Sequence, residues 1–128
     1  MQSLSQYKNI TQEVVFYFSE KIAQARTLGI NDIIIDVGFG FAKDTTQNFE
    51  LLNNLELLKT LDIPILTGIS RKSMIYKTLN SSAKEALNGT SALHMIALQK
   101  GSNILRAHDI KEAKECILLH RALLESDN

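Results

Sequence analysis

A chain of 128 residues with 45% hydrophobic and 22% charged side chains suits one globular domain with a modest core, which excludes the disordered and fibrous classes. Fourteen Lys and Arg balance fourteen Asp and Glu, so no broad field draws in nucleic acid or an anionic membrane surface, and any basic site must be local. One cysteine cannot staple the fold, no run reaches the roughly 20 apolar residues of a membrane helix, and Met1-Gln2-Ser3 begins no secretory signal; the expected setting is the cytoplasm.

Asn9, with Gln12 three residues on, predicts a capped helix over 10–28, where Val14, Phe18, Ile22 and Ala25 recur at helical spacing and Gly29 can end it. Residues 32–36 carry Ile33, Ile34 and Ile35 without alternation, the pattern of a parallel strand covered on both faces. Asp44, Thr45 or Thr46 can cap a second helix through Leu51, Leu52, Leu55 and Leu58 to Thr60. Pro64 opens a strand running to Ile69, where its missing N–H does little harm. A short helix over 73–79 follows, with Asn80 and Gly89 as breaks. A capping box at Ser82-Ala83-Lys84-Glu85 predicts another helix, and Thr90 or Ser91 a third that Gly101 closes. After a strand at 103–107, Asp109-Ile110-Lys111-Glu112 reads as a capping box leading into a last helix through Ala113, Ile117, Leu118 and Leu124. Cys116 falls in the apolar pattern of that helix and reads as a buried, inert thiol.

Strands that are each followed by helical crossovers imply a parallel sheet and an α/β class, in one domain over residues 1–128. Three parallel strands alone expose long apolar edges, so the sheet is expected to extend, or to pair with a copy or a complementary piece. In such sheets ligands bind at the C-terminal ends of the strands, where this chain carries its polar groups.

Asp36 closes the isoleucine run and precedes Gly38, Phe39, Gly40 and Phe41, a turn with two residues free to take positive φ. Its carboxylate can accept two N–H donors from a guanidine-like edge, or simply hold the following turn; both readings stay open. Phe39 and Phe41 read on the same basis as packing residues. Ser70-Arg71-Lys72-Ser73 puts two cations and two hydroxyls where a helix begins, either an anion site or a solvated basic turn with a serine cap. Arg106 and His108 lie two apart and face one way on a strand, an arrangement packing explains poorly because a buried arginine needs a partner. His94 and His120 sit inside helical patterns with no metal-spaced neighbours and read as surface or satisfied helix histidines. No G-x-S-x-G elbow, phosphate loop or full dinucleotide fingerprint is present.

Taken in order, Asp36 with Gly38 to Phe41 and Lys43, Ser70 to Ser73, and Arg106 to Asp109 resemble the C-terminal half of the dihydropteroate synthase family, over about Tyr7 to Leu124, with Asn88-Gly89-Thr90 and Gly101 also matching. That resemblance implies the last three strands of a (β/α)8 barrel. It implies a folate-pathway transferase, the target of sulfonamides, joining 4-aminobenzoate to hydroxymethyl-dihydropterin diphosphate. By resemblance Asp36, Lys72 and Arg106 bind the pterin; Arg106 and His108 meet the diphosphate as the catalytic pair; and Gly40, Phe41, Lys72 and Ser73 shape the aminobenzoate pocket. The family's Mg2+ is held by an asparagine N-terminal to the matched part, so no metal ligand is assigned in this chain. Val37 departs from the family's usual proline and Ala42 from a common glycine, which leaves the loop entry less rigid. Met1-Gln2 reads as the end of the segment after the fifth strand, a chain begun in mid-domain and expected to be inactive or nearly so by itself. The expected partners are the small-molecule substrates and either a homo-oligomer or a complementary N-terminal half, with no nucleic acid and no membrane. The alternatives are a non-catalytic half-barrel or assembly subunit, and a pterin-binding methyltransferase module.

Overall fold

The computed structural model describes residues 9–41 and 43–126; the readings at Met1-Gln2, Tyr7 and Ala42 lie outside the described residues. Helix α1 (Ile10–Thr27) begins where Asn9 Oδ1 accepts the Gln12 N–H at 3.1 Å, and it ends before Gly29 at φ +84°. Its buried stripe of Ile10, Val14 and Ile22 faces the core, while Phe16 on the other side is exposed.

Strands β1 (Ile35–Asp36), β2 (Ile65–Thr67) and β3 (Ile104–Leu105) pair in parallel in that order, with Ile35 opposite Ile65 and Leu66 opposite Ile104. Each is shorter than its apolar run. One face of the sheet is covered by helices: Ile35, Val37, Ile65 and Ile69 are buried with Ile10, Leu51, Leu55 and Met74 in a single cluster. The other face is not, so the expectation of a strand covered on both sides fails at Ile34, which is 56% exposed. Leu66 and Ile104 on that face are only half-buried, because among the described residues no second layer lies over them.

Helix α2 (Thr45–Asn53) takes Asp44 as its cap, in a capping box with Gln47: Asp44 Oδ1 accepts the Gln47 N–H at 2.7 Å and the Asp44 N–H reaches Gln47 Oε1 at 3.1 Å. It does not continue to Thr60. Asn54 turns its amide onto the Glu50 carbonyl at 2.9 Å, and the chain tightens into a 3-10 helix over Leu55–Leu61. Leu55 and Leu58, three apart, stay aligned on the tighter turn and are fully buried. Each such leucine stabilises the fold by about 1.5–3 kcal/mol.

Beyond β2, helix α3 (Ser73–Thr78) ends ahead of Asn80 at φ +55°. The capped helix expected at Ser82 is a 3-10 turn (Ala83–Glu85) with no bond from the Ser82 side chain. Helix α4 (Leu87–Gln99) starts three residues before Thr90, so Gly89 lies inside its first turn and breaks nothing. Its absent side chain has another use: a Cβ there would sit 2.5 Å from Ile75 Cγ2, so glycine is what lets α3 and α4 touch. Gly101, at φ +106°, closes α4 as expected. Helix α5 (Ile110–Glu125) is entered from Asp109, but the Asp109 carboxylate makes no capping bond, and the expected box is not formed. Cys116 is buried against α4, its thiol directed at the Ser91 carbonyl. His94 is neither a surface nor a satisfied histidine: it is 2% exposed with Nε2 unpartnered among the described residues, and burial holds its pKa below the usual value. Among the described residues no helix is long and apolar enough to cross a membrane.

Gly89→Ala should overpack the α3–α4 contact and destabilise the chain by about 1–3 kcal/mol. Urea unfolding should show a lower midpoint at unchanged slope; an unchanged midpoint would mean that the two helices do not need this approach.

Candidate functional site

The three strand ends meet at one rim. Asp36 ends β1, and its Oδ1 accepts the Gly38 N–H at 3.0 Å while its Oδ2 accepts Arg106 Nη1 at 3.0 Å. Asp36 therefore holds the following turn with one oxygen and accepts a single guanidinium N–H, that of Arg106, with the other. Gly38 and Gly40 adopt φ of +69° and +90°, as their positions required. Between them Phe39 is fully buried and acts as packing, whereas Phe41 is 68% exposed and does not.

Arg106 lies on β3's side and Asp36 on β1's, with β2 between them. The guanidinium crosses at Gly68, where an added Cβ would come 2.9 Å from Arg106 Cζ. Sequence reading passed over Gly68, because nothing in an apolar strand pattern marks a residue kept small for a neighbouring strand's side chain.

Ser70 to Ser73 turn the chain from β2 into α3, and Arg71 does so in the left-handed region at φ +54°. That strain, of order 1–3 kcal/mol for a non-glycine residue, persists only where surrounding bonds over-determine the geometry. Here they do. The Arg71 N–H donates to Thr90 Oγ1 at 2.9 Å. Its guanidinium pairs with Asp109 (Nε to Oδ2 at 2.9 Å, Nη2 to Oδ1 at 3.2 Å) and donates to the Ala83 and Lys84 carbonyls at 2.7 Å each. Arg71 is thus a brace between its own turn, the 83–85 turn and the loop at Asp109, its guanidinium engaged by this chain's own groups, where its motif left an anion site or a solvated basic turn open. Asp109 is spent in the same brace, which is why it caps nothing.

The remaining members of the turn point to opposite neighbours. Ser70 Oγ lies 2.8 Å from His108 Nδ1 and accepts the His108 backbone N–H at 3.2 Å. Lys72 turns the other way, donating Nζ to the Phe39 carbonyl at 2.5 Å with the Phe41 ring 5.2 Å away. Arg106 and His108, expected to face one way, divide: β3 ends at Leu105, so beyond it Arg106 reaches β1 while His108 docks on the β2 turn. Ser73, half-buried, is the first residue of α3, a helix of only six residues.

Two further residues went unassigned from sequence. Lys43 Nζ holds the glycine loop through the carbonyls of Gly38 (2.9 Å) and Phe41 (3.1 Å). Buried Asn48 of α2 accepts the Gly40 N–H at 2.8 Å, and a polar residue beside the apolar stripe of Leu51 and Leu52 was the signal that could have found it. Burial, then the neighbouring Arg106, lower the Lys72 pKa, with Asp36 opposing; Lys43 is lowered by burial and then by Lys72, again against Asp36. The rim therefore gathers the cations of Lys43, Lys72 and Arg106 around the one carboxylate of Asp36. Among the described residues no group of three His, Cys, Asp or Glu could hold a metal ion.

A family model of pterin binding enzymes matches residues 1–108. The chain belongs to the pterin-binding enzyme family. Within that family it is 38% identical to the dihydropteroate synthase of Escherichia coli K12 over 128 residues, 98% of this chain and 45% of that protein. It is 37% identical to the bifunctional dihydropteroate synthase/dihydropteroate reductase of Helicobacter pylori, over 94% of this chain and 32% of that one. Among solved structures, Yersinia pestis dihydropteroate synthase in a sulfonamide drug complex superposes with a TM-score of 0.90 at 32% identity, over 94% of this chain and 44% of that one. The Coxiella burnetii dihydropteroate synthase in complex with pteroic acid gives 0.83 at 37% identity, over 86% and 42%. This pterin-binding family member spans less than half the length of these relatives, and its three parallel strands and helices correspond to part of their barrel.

The Arg71 guanidinium, through its hydrogen bonds, holds the Asp109 carboxyl below its ordinary range. A carboxylate whose folded pKa is depressed stabilises the fold fully above its unfolded value of about 3.9 and loses that contribution as pH falls through the folded value. Urea unfolding of Asp109→Asn should therefore be less stable than wild type at pH 7, with the gap closing below about pH 3 to 4; a gap independent of pH would show that the pair carries no such linkage.

Proposed function

We propose that this chain is the pterin- and diphosphate-facing part of a dihydropteroate synthase. The complete enzyme joins 4-aminobenzoate to 6-hydroxymethyl-7,8-dihydropterin diphosphate with release of diphosphate, in the cytoplasm. The observation that carries the proposal is the convergence of Asp36, Lys72, Arg106 and the Ser70–His108 pair on one rim, joined by bonds of 2.5–3.0 Å across three adjacent strands.

In this reading the amino-pyrimidine edge of the pterin replaces Arg106 at Asp36 Oδ2, while Gly38 keeps Oδ1 and so the plane of the carboxylate. The exchange costs little, because an ion pair as exposed as Asp36–Arg106 (38% and 55%) is worth about 0–1 kcal/mol. Arg106, released, lies along the ring and reaches the diphosphate beside His108. Lys72 donates to the pterin carbonyl and ring nitrogen. Gly40, Phe41, Lys72 and Ser73 border the aminobenzoate, with Lys72 the principal charge there because α3 is too short for a sizeable end dipole. Loss of diphosphate first, leaving a pterin cation that the arylamine attacks, needs cations around the leaving group more than a general base.

Asp36→Asn tests this on the chain itself. Calorimetric titration with the pterin diphosphate should show affinity falling roughly 10- to 100-fold, since a charged acceptor is lost at constant shape and is worth about 1.5–3 kcal/mol. Gly68→Ala should give a similar loss with an unchanged unfolding midpoint, because the new methyl displaces only the flexible end of Arg106. Equal affinity in wild type and Asp36→Asn would end the assignment.

The second reading, an assembly half, is favoured by one observation: β1 and β3 each have an edge unpaired among the described residues, and Ile34 is 56% exposed beside one of them. On this reading the 128 residues form a partial domain that does not turn over alone and associates with a copy or with a complementary N-terminal half. Sedimentation should show association that grows with concentration, and diphosphate release by the isolated chain should be undetectable. A compact monomer with full turnover would refute it.

A further inference from the structure

We infer that Ser70 is a positioning residue that fixes the tautomer of His108, so that the neutral imidazole presents an Nε2–H donor, and no lone pair, to the diphosphate; this rests on the reading of His108 as a diphosphate contact. The argument is a count of hydrogen-bond capacity. Ser70 is 6% exposed, and its hydroxyl has one proton to donate and two lone pairs to accept with. One lone pair takes the His108 backbone N–H at 3.2 Å. The only other contact of that hydroxyl among the described residues is His108 Nδ1, at 2.8 Å. Were Nδ1 protonated, it would donate to the second lone pair, and the serine proton would be left buried without an acceptor, a penalty the other tautomer avoids. With Nδ1 bare, the serine proton has its acceptor and every group is satisfied. The proton of the neutral ring is then on Nε2, across the ring from Ser70, on an exposed side chain with no other bond among the described residues.

The chemical consequence is specific. A neutral imidazole so held cannot take a proton at Nε2, because its only lone pair is engaged by Ser70. His108 therefore meets the leaving group as a donor in either protonation state, which suits stabilisation of departing diphosphate and not general-base activation of the arylamine. The Arg71–Asp109 brace supports this from both sides, since it ties the residue after Ser70 to the residue after His108.

Long-range proton–nitrogen spectra of the histidine-labelled chain, taken above the imidazole titration, read the tautomer directly. Wild-type His108 should show a protonated Nε2 and a bare, hydrogen-bonded Nδ1. Ser70→Ala should move the His108 nitrogen signals toward the mixture of tautomers found in free imidazole, and Ser70→Thr, which keeps a hydroxyl, should restore the wild-type pattern. A proton on Nδ1 in the wild type, or nitrogen signals identical in Ser70→Ala, would overturn the inference. Should the alanine variant not fold, the wild-type spectrum decides alone. Inorganic diphosphate is the second probe: it should shift the wild-type Nε2–H signal and bind several-fold more weakly to Ser70→Ala than to Ser70→Thr. No shift in the wild type would refute the diphosphate role of His108, while the tautomer would still be judged by the first measurement, so the two failures are separable.

Discussion

The left-handed turn at Arg71 is the constraint on which the rim depends. β2 is the middle strand, and the residues that leave it must reach both neighbours. A single positive-φ residue reverses the chain so that Ser70 faces the β3 loop and Lys72 the β1 loop. An ordinary residue in that conformation is strained, and here the strain is offset by the Thr90 hydroxyl, the Asp109 carboxylate and two carbonyls of the 83–85 turn. Those partners come from three separate places: the first turn of α4, the loop after β3 and the 83–85 turn. The same bonds that hold Arg71 in its strained state therefore hold the β3 end and the start of α4 against the turn.

A second constraint acts across the strands. Arg106 reaches Asp36 only because Gly68 leaves the end of the middle strand bare, so the pairing of the first and third strand ends is decided by the residue that follows the second. This arrangement lies on the face that no helix covers. The covered face, with Ile35, Ile65 and Ile69 packed on Leu51 and Met74, sets strand order and register; the open face carries the charges. Stability and chemistry thus fall on opposite sides of a sheet only three strands wide, which is why the ionic contacts are exposed and individually weak while their positions are fixed.

What could be read from the sequence was what depends on local pattern. The alternation of helix and strand, the Asn9 cap, the positive φ of Gly38 and Gly40, and the polar strand ends all follow from residues a few positions apart. What escaped depends on partners distant in sequence. Asp109 with Glu112 has the spacing of a capping box, yet Arg71, 38 residues earlier, outcompetes the helix N-terminus for its carboxylate, because a bidentate guanidinium offers two charged bonds against one backbone N–H. Thr90 was read as a helix start and is instead the acceptor for Arg71, so α4 begins earlier. Ile34 was read as doubly buried because an isoleucine run cannot say whether the layer over its second face belongs to the same chain. His94 reads from sequence as a surface or satisfied histidine because spacing carries no information about what surrounds a buried ring.

These two kinds of contact differ in what they require of the rest of the molecule. The bonds that orient Asp36, Lys72, Arg106 and His108 join the strand ends to one another, Arg106 reaching past β2 to Asp36, or to the loops directly behind them, and all of these lie within the described residues. These hydrogen bonds at the rim are therefore made without a closed barrel. The roof over the rim is not: Leu66, Ile104 and Ile34 face a space that a closed barrel fills with opposite strands. On the proposed function, a bicyclic ring laid on this rim is held at one edge by hydrogen bonds while its far face stays in water, where each of those bonds is worth least. On that proposal, orientation therefore falls to these three strands and affinity to whatever closes the other side of the sheet.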